Sequence, residues 1–503
     1  MKRFLAGRIV SVLCAVFAVI VAMPVVRADW EPPPPPQPQR RTGGEGLPPL
    51  PLPVTPQRRT EKKREPSPPA LIAKVQYGDL IWVTTEDGRR FSYYDWQNDR
   101  TDLHYLLQFA CPRLAINYRY LEMPLSQFSF DPAAIPILYY TGHHDFTWSP
   151  EEQKQLYAYL RDGGTLVGDA CCGNTEFTAA FIREVSKVLP ARPMRPLPGD
   201  HPLYRAFFQV DGVELRDADQ PPTHGPAPIR GVHLGCRLAV VLFEWDVSCG
   251  WARHEHPNAR RIAPEDANRL GTNLIAYVLA NYQLGRTWST QKVYHQQTAP
   301  VADEFVFGQV VHGGDWDPAP SAAAGLMRHL ASNTTIPVKF QRAAVDLRTV
   351  DAFRYPILYM TGHDDFVFTD PEIFALRSYL RNGGILVADA CCGRQAFDAA
   401  FRREIRRVLP DYELRLLSPD HPLYGTLHNI QTVEYSGALK KAHPELNTPT
   451  LEGIALGNVE AVIYSRYGLG AGWDGCERPF AFSYSPEDAL RLGANIFIYA
   501  MTH

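Results

Sequence analysis

From residue 75 onward, short apolar runs alternate with stretches in which apolar residues recur at helical spacing. In the second half of the chain, 305–311 reads as a strand, 322–331 as a helix and 357–361 as a strand again. A helix is predicted over 371–381, with Asp370 as its cap, Pro371 in its first turn and Gly383-Gly384 as its end. The unbroken apolar run 385–388 is a strand and 394–407 a helix. Strands near 453–456 and 461–464 and a closing helix over 486–500 complete the set. Apolar strands alternating with helices predict a mostly parallel sheet covered on both faces. The predicted fold is a flavodoxin-like, three-layer α/β sandwich.

That pattern occurs twice. The run from Pro136 to Phe146 returns from Pro356 to Phe366, and Asp169-Ala-Cys-Cys-Gly173 returns as Asp389-Ala-Cys-Cys-Gly393. Val188-Leu-Pro190 matches Val408-Leu-Pro410, and Asp200-His-Pro-Leu-Tyr204 matches Asp420-His-Pro-Leu-Tyr424. All four share an offset of 220 residues. Later, Gly250-Trp251 answers Gly472-Trp473, and Gly271-Thr-Asn273 answers Gly493-Ala-Asn495. Each unit of about 200 residues is a whole domain and not a solenoid repeat.

Ahead of the repeats, Lys2, Arg3 and Arg8 precede an apolar run over 9–26, with small residues before a cleavage point after Ala28. This is the layout of a secretory signal, and it implies an exported, periplasmic or envelope-associated protein. An uncleaved anchor is the alternative, because the run almost spans a bilayer. Residues 31–70 hold 14 prolines among basic pairs, a composition that cannot bury a core and predicts an extended tether. The expected division is a signal peptide over 1–28, a tether over 29–70, a first domain over 71–285, a linker over 286–300 and a second domain over 301–503. Net charge is −3, with 51 basic and 54 acidic side chains, so no field gathers nucleic acid. The expected partner is a small molecule or an envelope protein.

An exported chain permits disulfides. The eight cysteines after the signal do not form a repeating framework: Cys171-Cys172 and Cys391-Cys392 match, whereas Cys111, Cys236, Cys249 and Cys476 do not. A Cys236–Cys249 bridge is one pairing the sequence allows.

In doubly wound folds, ligands bind at the carboxyl ends of the strands. Two repeated motifs leave predicted strands there: Thr141-Gly-His143-His144-Asp145 with Asp169-Ala-Cys171-Cys172-Gly173, and Thr361-Gly-His363-Asp364-Asp365 with Asp389-Ala-Cys391-Cys392-Gly393. Cys171 and Cys391, at the start of a helix, are candidate nucleophiles, with His143 and His363 as bases. The competing reading is packing: small residues where strand meets helix, and glycines that permit the turns. Asp145, Asp169, His201, Asp365, Asp389 and His421 are candidate ligand contacts. Asp200 and Asp420 are expected to cap the turns beside His201 and His421. No ligand set with tight spacing is present, so no metal and no cofactor is expected. Phosphate-loop, dinucleotide and Gly-x-Ser-x-Gly signatures are absent.

The Thr-Gly-His run, Gly383-Gly384, Asp389-Ala-Cys-Cys-Gly393, the stretch from Phe397 to Phe401 and Asp420-His-Pro resemble the bacterial domain of unknown function 4159. The resemblance extends over most of 305–503 and more loosely over 75–282. It implies a class I glutamine amidotransferase-like fold, and the Asp-His-Pro element is similar to trehalose-utilisation proteins of that fold. The superfamily carries its catalytic Cys in Gly-x-Cys-x-Gly; here Asp169 and Asp389 hold the first Gly position, and no His-x-Glu lies near Gly472-Trp473. The resemblance therefore implies an incomplete triad. The expectation is an envelope ligand-binding or scaffolding protein with two clefts; a Cys-dependent hydrolase or amidase, or a metal-dependent hydrolase, is the alternative.

Overall fold

The computed structural model describes residues 70–502 apart from 86, 219, 255, 257, 291–304 and 350–351. The expected signal segment, the tether as far as Pro69 and most of the linker lie outside the described residues. The helix Pro264–Thr290 runs on into the stretch expected as linker.

The first half contains β1 (Ile72–Gln76), β2 (Leu80–Thr84), β3 (Arg90–Tyr94), β4 (Tyr120–Pro124), β5 (Ile137–Gly142) and β6 (Thr165–Ala170). These are followed by β7 (Arg195–Pro196), β8 (Val213–Asp217), β9 (Thr223–Gly225), β10 (Ile229–Leu234), β11 (Arg237–Phe243) and β12 (Arg260–Ile262). Its main sheet runs β4-β1-β5-β6-β11-β10-β7. The second half contains β13 (Phe305–Val310), β14 (Val338–Val345), β15 (Ile357–Gly362), β16 (Ile385–Ala390), β17 (Arg415–Leu416), β18 (Leu451–Leu456) and β19 (Val459–Ser465), in the order β14-β13-β15-β16-β19-β18-β17. In both sheets the first five strands are parallel, and each of the last two pairs antiparallel with the strand before it. Numbered within each half, the parallel strands follow 2-1-3-4-5, the flavodoxin-like order. The chain is two α/β domains, as the alternation predicted.

Burial explains the strand sequences. Every residue of β5, β6, β15 and β16 is buried, because helices cover both faces. Close packing then demands small residues at fixed points: a Cβ on Gly168 would run into the Phe181 ring. The helix Asp370–Arg381 begins one residue earlier than expected. Its cap is Thr369, in a capping box with Glu372, and Asp370 already lies in the first turn. Arg394, expected inside the next helix, is the cap of Gln395–Val408. Among the described residues no helix is long and apolar enough to cross a membrane.

The halves differ most after their first strand. β2 and β3 form an antiparallel hairpin inserted between β1 and Asp95, whereas the second half passes from β13 to Asp315 in a short turn. Trp82 on this hairpin is 55% exposed, with Arg90 stacked over its ring.

Candidate functional site: two thiol clusters on the carboxyl rim

Register places the two repeated motifs together. Thr141 and Gly142 of β5 pair with Asp169 and Ala170 of β6, and Thr361 and Gly362 pair with Asp389 and Ala390. The Thr-Gly-His and Asp-Ala-Cys-Cys-Gly turns therefore leave neighbouring strands at one carboxyl edge in each half.

A third element joins them there. Asp95 and Asp315 reach the same rim from the segment after each half's first strand. The Asp95 carboxylate accepts the His143 backbone N–H at 2.9 Å and lies 3.2 Å from its Nδ1. Asp315 accepts the His363 backbone N–H at 2.7 Å and lies 2.6 Å from its Nδ1. Each imidazole is thus fixed with Nε2 as the ring atom left for other partners. Gly142 makes room for this: a Cβ there would collide with Tyr77 and the Asp95 carboxylate. Gly142 does not occupy left-handed backbone, so its role is space.

Of the two vicinal cysteines, the second turns toward the histidine. Cys172 and Cys392 both sit at φ 56°, left-handed backbone that non-glycine residues rarely adopt. The Cys172 thiol interacts with His143, and the Cys392 thiol with His363. Cys171 and Cys391, the expected nucleophiles, are buried beneath them. Hydrogen bonds from Cys171 and Cys249, and then from His143, pull the Cys172 thiol far below its ordinary value. Burial opposes charging of His143, but its bonds to Asp95 and Cys172 outweigh that and raise the imidazole to about 10. Cys171 is pushed up by its bonds to Cys172 and Cys249 and by burial.

Each rim gathers a third thiol from a different source. In the first half, Cys171, Cys172, Cys249 and Asp246 bring their ligand atoms within 4.8 Å of one another. Cys249 is the second residue of the short helix Ser248–Ala252 beyond β11. Asp246 accepts the backbone N–H groups of Cys172 and Cys249 and the Ser248 hydroxyl. In the second half, Ala471 stands where Cys249 would be, one residue before Gly472-Trp473. The gap is filled from the first half: Cys236, in the turn between β10 and β11, lies 3.4 Å from Cys391, and Cys236, His363, Cys391 and Cys392 lie within 4.8 Å of one another. All eight described cysteines are free thiols, so the allowed Cys236–Cys249 bridge is not formed.

The other expected contacts lie elsewhere or serve the scaffold. Asp169 is fully buried, accepting the hydroxyls of Tyr139 and Thr141 and the Val247 N–H. Asp389 likewise holds Tyr359, Leu469 and Gly470. Both fasten the segment after the fifth strand to the rim. Asp145 and Asp365 point outward onto Arg183 and Arg403. His201 and His421 cap their own turns, each accepting a backbone N–H at Nδ1 from Leu203 or Leu423. That is the role expected of Asp200 and Asp420. Asp200 instead contacts Arg394 and Gln395 of the other half.

Sequence reasoning passed over Asp95, Asp315, Cys249 and Cys236 as site residues. For the carboxylates a signal existed: Asp95-Trp96 and Asp315-Trp316 repeat at the same offset of 220. With this geometry in place, a family model described as domain of unknown function 4159 matches residues 72–279 and again 306–501. No curated protein matches the chain.

Proposed function

The chain belongs to the domain of unknown function 4159 family in both halves, and from that premise we propose an exported binding protein whose ligand is a thiophilic metal ion held by Cys171, Cys172 and Cys249. One observation carries this reading: three thiols converge at the rim without a disulfide. Cys171 and Cys172 lie 4.0 Å apart at sulfur. Tetrahedral coordination at the usual zinc–sulfur length sets ligand sulfurs about 3.8 Å apart. A disulfide needs about 2.05 Å. Soft thiolates select zinc, copper(I) and similar ions.

The first centre is open on one side. The His143 side chain is 24% exposed, whereas its counterpart His363 is 4% exposed. Asp246 brings a carboxylate oxygen to the same group while also accepting backbone donors, so it or a water is the fourth ligand. A site with three protein thiolates and an accessible fourth position suits a reversibly held ion or a bound molecule. The test is metal analysis of the full chain purified without chelator, alongside Cys249→Ser. Zinc or copper lost in that variant supports the reading, and metal content unchanged by it overturns the reading.

A second reading has one observation of its own. Cys172 sits in strained backbone at a strand-to-helix turn, with His143 and then Asp95 in line behind it, the order a thiol nucleophile, base and orienting carboxylate require. This reading is a Cys-dependent hydrolase or amidase using Cys172 in place of Cys171. Rapid alkylation of Cys172 in the protein as isolated, abolished by His143→Ala, favours it over metal binding.

A further inference from the structure

We propose that Cys236, His363, Cys391 and Cys392 form a second, closed metal site of the zinc class, whose fourth ligand is lent by the first half of the chain to the second. The inference stands on residues separate from the first centre and holds whether or not that centre binds metal.

The donor set is three sulfurs and one imidazole, all within 4.8 Å of one another. The Cys391–Cys392 sulfur separation is 3.8 Å and the Cys236–Cys391 separation 3.4 Å. The first equals the edge of a zinc–thiolate tetrahedron and the second is slightly tighter. His363 has the carboxylate partner that metal-bound histidines carry, with Nδ1 on Asp315 and Nε2 left for the ion. On binding a divalent ion the three thiol protons leave to solvent, and neutral His363 keeps its Nδ1 proton toward Asp315. Three thiolates and a divalent ion leave one net negative charge. The buried Arg478 guanidinium, paired with Asp474 at 2.6 Å, also interacts with Cys236, Cys391 and Cys392 and so offsets part of that charge.

The site is closed. A cavity of 20 Å³ touches Cys236, His363, Cys392, Arg394, Arg478 and Phe480. That volume admits about one water, so an ion fits and an organic substrate does not. Four protein ligands with no open position mark a structural zinc site.

The comparison between halves argues that the third thiol is required. Cys236 occupies the turn Leu234-Gly-Cys-Arg237, and the matching turn of the second half reads Leu456-Gly-Asn-Val459. The chain thus has Cys249 against Ala471 at one position and Cys236 against Asn458 at another. The second half lacks both thiols, yet each rim ends with three sulfurs, because Cys236 of the first half serves the second rim. Simple packing needs no such restoration. Because Cys236 belongs to the first half, an ion bound here ties the two halves together.

The test uses the full chain with a protease site placed within 291–304, purified without chelator and loaded with zinc. Wild-type protein is expected to bind one more zinc than Cys236→Ser. After cleavage its halves co-elute with zinc and separate at lower urea once chelator is added. Cys236→Ser should separate at the same urea with or without chelator. Cys236→His, which keeps a zinc ligand, should regain the ion and the chelator response, so a merely unfolded serine variant cannot mimic the result. Equal zinc in wild type and Cys236→Ser overturns the ligand assignment. Lost zinc with unchanged chelator response overturns the tie between halves. Cys249→Ser reads the first centre separately, so that reading can fail while this one stands.

Discussion

Tyr77 and His312 perform one task from equivalent positions: the Tyr77 hydroxyl donates to the Thr141 carbonyl at 2.9 Å, and His312 Nε2–H donates to the Thr361 carbonyl at 2.9 Å. Both stand just beyond the first strand of their half and pin the turn that presents the rim histidine. His312 also accepts the Gly314 N–H through Nδ1, so it is held as the neutral ring.

This gives the rim turn of the second half an acid-sensitive pin where the first half uses a tyrosine. Burial holds the His312 pKa below its ordinary value, with Asp315 and Glu372 nearby favouring protonation and Arg195 opposing it. A base whose folded pKa is lowered gives stability that is full above the unfolded value of about 6.5 and is lost as pH falls below it. His312→Tyr, the residue the first half uses, should lose less melting temperature than wild type between pH 8 and pH 5. An equal loss in both proteins refutes the assignment.

Asp315→Asn should weaken zinc at the closed centre without unfolding the domain. The side chain still bonds the His363 and Asp364 N–H groups, but the charge that orients and strengthens the imidazole is gone. Removing the carboxylate behind a metal-bound histidine costs about 10–100-fold in metal affinity. Competition against a chromophoric chelator measures it, and unchanged affinity would separate Asp315 from the site.

The repeated asparagine is a scaffold residue, and its removal should cost stability alone. Asn495 accepts the Leu427 and His428 N–H groups and donates to the His428 carbonyl; Asn273 does the same for Phe207 and Phe208. Asn495→Ala leaves those donors unpaired, at about 1–3 kcal/mol each when buried. Urea unfolding should show that loss while zinc content stays at the wild-type value.

Alkylation should discriminate within the vicinal pairs. In zinc-free protein at neutral pH, iodoacetamide should modify half-buried Cys172 ahead of buried Cys171, and Cys391 only slowly. Peptide mapping by mass spectrometry reads the order. Fast modification of Cys391, abolished by His363→Ala, would show that the second rim is not closed.

The duplication, the α/β layering and the adjacency of the two turns were all legible in the residues, because apolar runs and a constant offset record them directly. The choice between Cys171 and Cys172 was not. It depends on one left-handed φ, which no spacing encodes. Asp95 was hidden by the hairpin of β2 and β3, which separates it from β1 although Asp315 follows β13 closely. The thiol clusters escaped because their members arrive from distant elements. Cys236 and Cys249 looked like leftovers because they do not match between copies, and that mismatch proves to be how each rim acquires its third sulfur.

The position of Cys236 on a hairpin tip makes the duplication asymmetric in a way that constrains descent and engineering alike. The amino-terminal copy contains all its own sulfurs, whereas the carboxy-terminal copy expressed alone is one donor short. Reversing the order of the copies with a short connector would strand Cys236 away from its partners. The pair is thus a lender and a borrower fixed in sequence, and neither gene fragment shuffling nor exchange of one copy for the other preserves it.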